Sequence, residues 1–182
     1  MPRLRRYMKR FWSDTDGAVT LEFILVMPFL FWAFMAAYVF FDGYRQSTLN
    51  VKAAYAVGDL ISRETQAINP AYIDSMKQVM EMMTRSRSNI KLRVSVVRWD
   101  EDDNRYYVDW SETRGFATER TDSNIMPITQ QLPTMPDNER VILVETSNLF
   151  VPLFNIGMGT RDLRNFVFTR PRFAPQVVWS DS

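Results

Sequence analysis

The chain has 182 residues, with 22 lysines and arginines against 21 aspartates and glutamates, and it contains neither histidine nor cysteine. Without those two side chains no Cys-His dyad, Ser-His-Asp triad or His/Cys metal site can be built, and no disulfide can staple an exported fold. A net charge of +1 leaves no basic face of the kind nucleic acid requires, so we expect neither an enzyme nor a nucleic-acid binder, and no cofactor.

Residues 1–17 form a basic leader, with Arg3, Arg5, Arg6, Lys9 and Arg10 against Asp14 and Asp16. An apolar run over residues 18–41 follows, in which Glu22 is the one charged side chain. As a helix this run is about 36 Å long, enough to cross a bilayer core of about 30 Å. A basic cluster directly before a span marks the cytoplasmic side, which puts the N-terminus inside and the rest of the chain across the membrane. The run is too long for the core of a secretory signal peptide, and the first A-x-A sequence after it, Ala54-Tyr55-Ala56, lies well past its end. An acid within a span costs on the order of 2–3 kcal/mol and is functional by default. Pro28 removes a helical hydrogen bond, so a kink or local melting near Val26 to Phe29 is expected.

Beyond Phe41 the apolar residues Leu49, Ala53, Val57, Leu60 and Ile61 recur at intervals of three and four. The helix is therefore expected to continue as an amphipathic segment, residues 42–63, ending near Ser62. Asn69-Pro70 reads as an N-cap followed by proline at the first helical position. A second helix over residues 70–84 follows, its stripe of Ile73, Met76, Met80 and Met83 directed at a sheet. Arg85-Ser86-Arg87 reads as solvated surface.

From Ile90 the period changes to two. Ile90, Leu92, Val94 and Val96 alternate with polar residues, and Tyr106, Val108 and Trp110 alternate in the same way, which predicts a hairpin. Its turn places Asp100, Asp102 and Asn104 two apart, like the start of a calcium loop. The sixth position is Arg105 where such a loop needs glycine, and the twelfth is Ser111 where it needs glutamate, so a solvated turn fits better. Residues 112–138 read as an irregular connection with a short helical turn near Ile125 to Gln131. A continuous apolar strand is expected at Arg140 to Thr146, another strand at Phe166 to Thr169, and a short edge segment at Val177-Val178-Trp179. The fold class is α+β: a long N-terminal transmembrane and amphipathic helix packed on an antiparallel sheet, with a second short helix, residues 64–182 forming the exported domain.

The order of basic leader, Gly17, Glu22 five residues later and an unbroken apolar helix resembles the type IV pilin and pseudopilin family. The pattern Gly17-Ala18-Val19-Thr20-Leu21-Glu22-Phe23 is most similar to the TadE-like branch, minor pseudopilins of tight-adherence (Flp) pilus systems. Glu145 to Phe154 and Arg170-Pro171-Arg172 also look like TadE-like sequence. Flp-type major pilins carry Glu-Tyr where this chain has Glu22-Phe23, which favours a minor component. The resemblance implies a pilin-like architecture and cutting between Gly17 and Ala18 by a prepilin peptidase. It also implies assembly with other pilins or pseudopilins and inner-membrane components in a pilus or secretion pseudopilus, the domain lying in the periplasm. The alternative is an uncleaved single-pass anchor whose exported domain recognises a ligand or partner.

Overall fold

The computed structural model describes residues 18–86 and 88–181. Its first element, α1, runs over Ala18–Ser62 as one unbroken helix of 45 residues, roughly 68 Å long at about 1.5 Å per residue. The apolar run and the amphipathic stripe thus share one backbone. Pro28 lies inside α1, and residues 26–29 are helical. The expected local melting is absent, because further helical turns on both sides hold the ladder around the one missing hydrogen bond. At the other end the Ser62 hydroxyl donates back to the Asp59 carbonyl at 2.8 Å. The Ser62 carbonyl accepts from Arg172 N at 2.8 Å, so a C-terminal segment helps close the helix.

The second helix, α2, spans Pro70–Thr84. Asn69 caps it by accepting from Tyr72 N at 3.0 Å, and Pro70 occupies the first turn, where a missing N–H leaves no gap. Arg85 ends it in the left-handed region, φ 47°, with its N–H on the Glu81 carbonyl.

Four strands follow: β1 Lys91–Asp100, β2 Arg105–Arg114, β3 Arg140–Phe150 and β4 Arg161–Thr169. They form one sheet in the order β2-β1-β3-β4, every neighbouring pair antiparallel. A short 3-10 helix, Met126–Gln131, lies in the connection between β2 and β3. The strands β3 and β4 are longer than their apolar cores predict. Ser147 to Phe150 pair with Arg161 to Arg164, a largely polar ladder that shows no clean hydrophobic period.

The sheet is covered on both faces. On one, Ala53, Val57 and Ile61 of α1 and Ile73, Met76 and Met80 of α2 pack against Leu92, Val94, Ile142 and Val144. On the other, the β2–β3 connection brings Ile125, Leu132 and Met135 onto Val97, Val141 and Leu143. The run Val141-Ile142-Leu143-Val144 is fully buried because successive side chains enter opposite cores. Small residues set the approach of α1: a Cβ on Gly58 would stand 3.4 Å from Thr169 Cγ2 and 3.7 Å from Val144 Cγ2.

Three expectations about faces are corrected. Leu60 is exposed and Asn50 is buried instead, because the side of α1 that meets the sheet runs through positions 50, 53, 54, 57, 58 and 61. Met83 is exposed while Thr84 is buried, its hydroxyl satisfied by the Met80 carbonyl at 2.8 Å. Tyr106, Val108 and Trp110 do not share a face. Val96 pairs with Trp110 and Val97 with Val108, leaving Asp109 as an extra residue in β2. This bulge turns Trp110 toward the helices while Tyr106 and Val108 stay on the other side. It also sets Asp109 beside Arg140, at 2.6 Å.

The Val177-Val178-Trp179 segment does not join the sheet edge. It pairs with the linker between the helices: Ile68 N donates to the Val178 carbonyl at 2.8 Å and Ser180 N to the Ile68 carbonyl at 2.9 Å. Trp110 Nε1 holds it from the sheet side through the Val177 carbonyl, 2.7 Å.

Candidate membrane and assembly surface

The first half of α1 packs against very little. Phe23, Phe29, Phe31, Trp32, Phe34 and Phe41 are all exposed, Phe29 at 77 % and Phe41 at 75 %. Among described residues 19–41, Val39 alone is fully buried. A helix with so much continuous apolar surface requires lipid or other chains around it, and α1 is long and apolar enough to cross a membrane.

Glu22 sits on this surface, exposed, one helical turn after Ala18, the first residue of α1. Positions four apart share a helix face, so the Glu22 carboxylate lies close to the start of the helix. Among the described residues it has no ion-pair or hydrogen-bond partner. Phe23 is directed elsewhere round the helix and is exposed. Gly17 and the rest of the leader, like Arg87, lie outside the described residues. The geometry leaves a lone carboxylate on an otherwise apolar helix surface.

Where the apolar half meets the domain, the loop after β3 comes back onto α1. A Cβ on Gly43 would stand 3.4 Å from the Phe150 ring, and the rings of Tyr38 and Phe154 meet edge to face at 6.1 Å. Beside them lies a small polar hollow of about 170 Å³, lined by Asp42, Arg45, Gln46 and Arg85 among others. A buried amide pair closes the domain side: Asn50 Nδ2 donates to Asn148 Oδ1 at 2.6 Å, and Asn148 Nδ2 to Ser86 Oγ at 3.1 Å. Gln46 adds a bond to the Thr84 carbonyl at 3.3 Å.

The acidic hairpin turn makes internal bonds. Asp100 accepts from Arg98 Nη1 at 3.0 Å and from Asp103 N at 3.2 Å, and these two bonds, the backbone one first, hold its carboxyl below the ordinary range. Asn104 takes a left-handed φ of 49° to close the turn. Asp102 is exposed, and among the described residues no group of three acids is placed to hold a metal ion.

A buried charge cluster on the second face of the sheet was not visible in the sequence. Arg93 grips Glu145 with two bonds of 2.8 Å, and Arg120 adds Nε to Glu145 Oε2 at 2.8 Å. Arg93 also donates to the Thr118 carbonyl at 2.9 Å and lies 4.6 Å from the centre of the Phe116 ring. Burial alone would raise the Glu145 carboxyl, but the bonds from Arg120 and Arg93 outweigh it and hold the group below its ordinary value. The cluster ties the β2–β3 connection to the sheet. In sequence Arg93 looks like an ordinary polar position of an alternating strand, and only a covering segment far along the chain makes it buried.

Searches against protein-family models, curated proteins and solved structures return no match to this chain.

Proposed function

We propose that this protein is a minor pseudopilin of a tight-adherence (Flp) pilus or a related secretion pseudopilus. In this reading it is made as a precursor, held in the inner membrane by residues 18–41 with its domain in the periplasm, and cut between Gly17 and Ala18 by a prepilin peptidase. The observation that carries the reading is Glu22, a carboxylate without a partner among the described residues, one turn from Ala18 on an otherwise apolar helix. Cutting before Ala18 creates an ammonium there. An ammonium and a carboxylate brought together in apolar surroundings each offset part of the other's desolvation. Within one chain the pair neutralises the helix start. Between neighbouring subunits it fixes register, since a shift along the helix leaves both charges stranded.

Glu22→Gln keeps the shape and removes the charge. In cells that carry the assembly machinery we expect the variant to accumulate in the membrane and to be lost from assembled filaments, with domain stability unchanged. Filaments formed at the normal level would overturn the reading and favour an uncleaved anchor.

A further inference from the structure

We propose that the β3–β4 loop, residues 151–160, is a second membrane-seated element that lies in the bilayer interface beside α1, with lipid as its partner. The proposal rests on the reading of residues 18–41 as the span.

The loop sequence is Val151-Pro152-Leu153-Phe154-Asn155-Ile156-Gly157-Met158-Gly159-Thr160, without a charge. Its exposure alternates: Pro152, Phe154, Ile156 and Met158 are partly covered, while Val151 and Leu153 remain 45 % and 51 % exposed. The covered set faces α1. Phe154 meets Tyr38, and Ile156 and Met158 line an open, mainly apolar hollow of about 590 Å³ together with Trp32, Ala36 and Phe40. The loop therefore reaches ten positions back along α1 from Asp42, the first charge after Glu22.

That reach conflicts with a domain standing wholly in water. If every part of α1 beside the loop were outside the bilayer, only residues 18–31 would remain to cross it. They make about 21 Å of helix against a hydrocarbon core of about 30 Å. Seating the loop about 5–10 Å into the headgroup and upper acyl region supplies the missing length. At that depth water still reaches an irregular backbone, which the hydrocarbon centre would not allow. The flanking charges fit the same level. Arg161 borders the hollow, and Arg45 and Arg85 line the polar hollow at the root of the loop, placed to meet lipid phosphates while their stems lie along apolar surface. An acyl chain is the natural occupant of the space between the loop and Trp32, Ala36 and Phe40.

The absence of cysteine makes single-cysteine labelling direct. Leu153→Cys, Val151→Cys, Phe29→Cys and Glu101→Cys variants of the whole chain would carry an environment-sensitive fluorophore in phosphatidylcholine–phosphatidylglycerol vesicles. Brominated lipids are the quencher. Glu101 lies in the β1–β2 turn at the opposite end of the sheet, an 11-residue strand away, roughly 36 Å. We expect about a twofold or larger loss of emission at Leu153 and Val151 with bromines near the glycerol end, at Phe29 with bromines deep in the chain, and none at Glu101. Phe29 quenched with Leu153 and Val151 as unquenched as Glu101 would overturn the inference and leave the span intact. Loss of quenching at Phe29 as well would overturn both.

Discussion

Residues 19–38 of α1 and residues 50–62 of the same helix meet opposite surroundings. The first stretch leaves Phe23, Phe29, Phe31 and Phe34 uncovered, while the second buries Asn50, Ala53, Ala54, Val57, Ile61 and Ser62. The first is bulky, aromatic and indifferent to which side faces what. The second is small and specific, with Ala53, Ala54 and Gly58 letting the backbone approach the sheet. One helix thus presents two kinds of surface. The packed half is covered by the sheet and α2, whereas the bare half has little cover among the described residues.

The contrast breaks most severely at Glu145, which anchors the cover over the far face of the packed sheet. Glu145→Ala leaves Arg93 and Arg120 without their counter-charge and is expected to cost about 3–5 kcal/mol. Denaturation of the whole chain in detergent micelles, followed by tryptophan fluorescence, measures it. Next comes Gly58→Leu, whose side chain has to push Val144 and Thr169 away. Overpacking of this kind costs about 1–3 kcal/mol, and Gly58→Ala, which needs only ordinary contact distances, should cost far less. An equal loss from both would show that α1 does not sit this close to the sheet.

Acid should act through the packed half too. The folded Glu145 carboxyl lies below its ordinary value, so its contribution is fully present above the unfolded value of about 4.3 and is lost as pH falls through the folded one. The melting temperature should drop as pH is lowered below about 4, and Glu145→Gln should flatten that dependence. Identical slopes for the two proteins would contradict it. At the small end stands Glu22→Gln, expected to change domain stability by less than about 0.5 kcal/mol because Glu22 is exposed and without a partner among the described residues.

The parts of the fold that obey local rules were legible in the sequence. Asn69-Pro70 marked the start of α2, the apolar periodicity carried α1 to Ser62, and alternation located β1. What escaped depended on distant segments. The bulge at Asp109 is invisible to a period-two reading, which put Trp110 on the wrong face. The stripe on α1 holds at Ala53, Val57 and Ile61 but not at Leu60, and the side that meets the sheet also includes the polar Asn50. Arg93 and Glu145 are separated by 52 positions and become a buried pair only because β1 and β3 are neighbours. The polar ends of β3 and β4 give no hydrophobic signal. For the candidate site, the sequence singled out Glu22 as the one charge in the apolar run, and its pairing with Ala18 is what the resemblance implies, while the return of the β3–β4 loop onto Tyr38 gave no sequence signal.

The claim that Glu22 awaits a cation created by cutting is tested most directly at the N-terminus. The whole chain, co-expressed with a matching prepilin peptidase and extracted from membranes, would be sequenced from its first residue. We predict a protein beginning at Ala18, and a protein that still carries its leader residues when the peptidase is active would contradict the account.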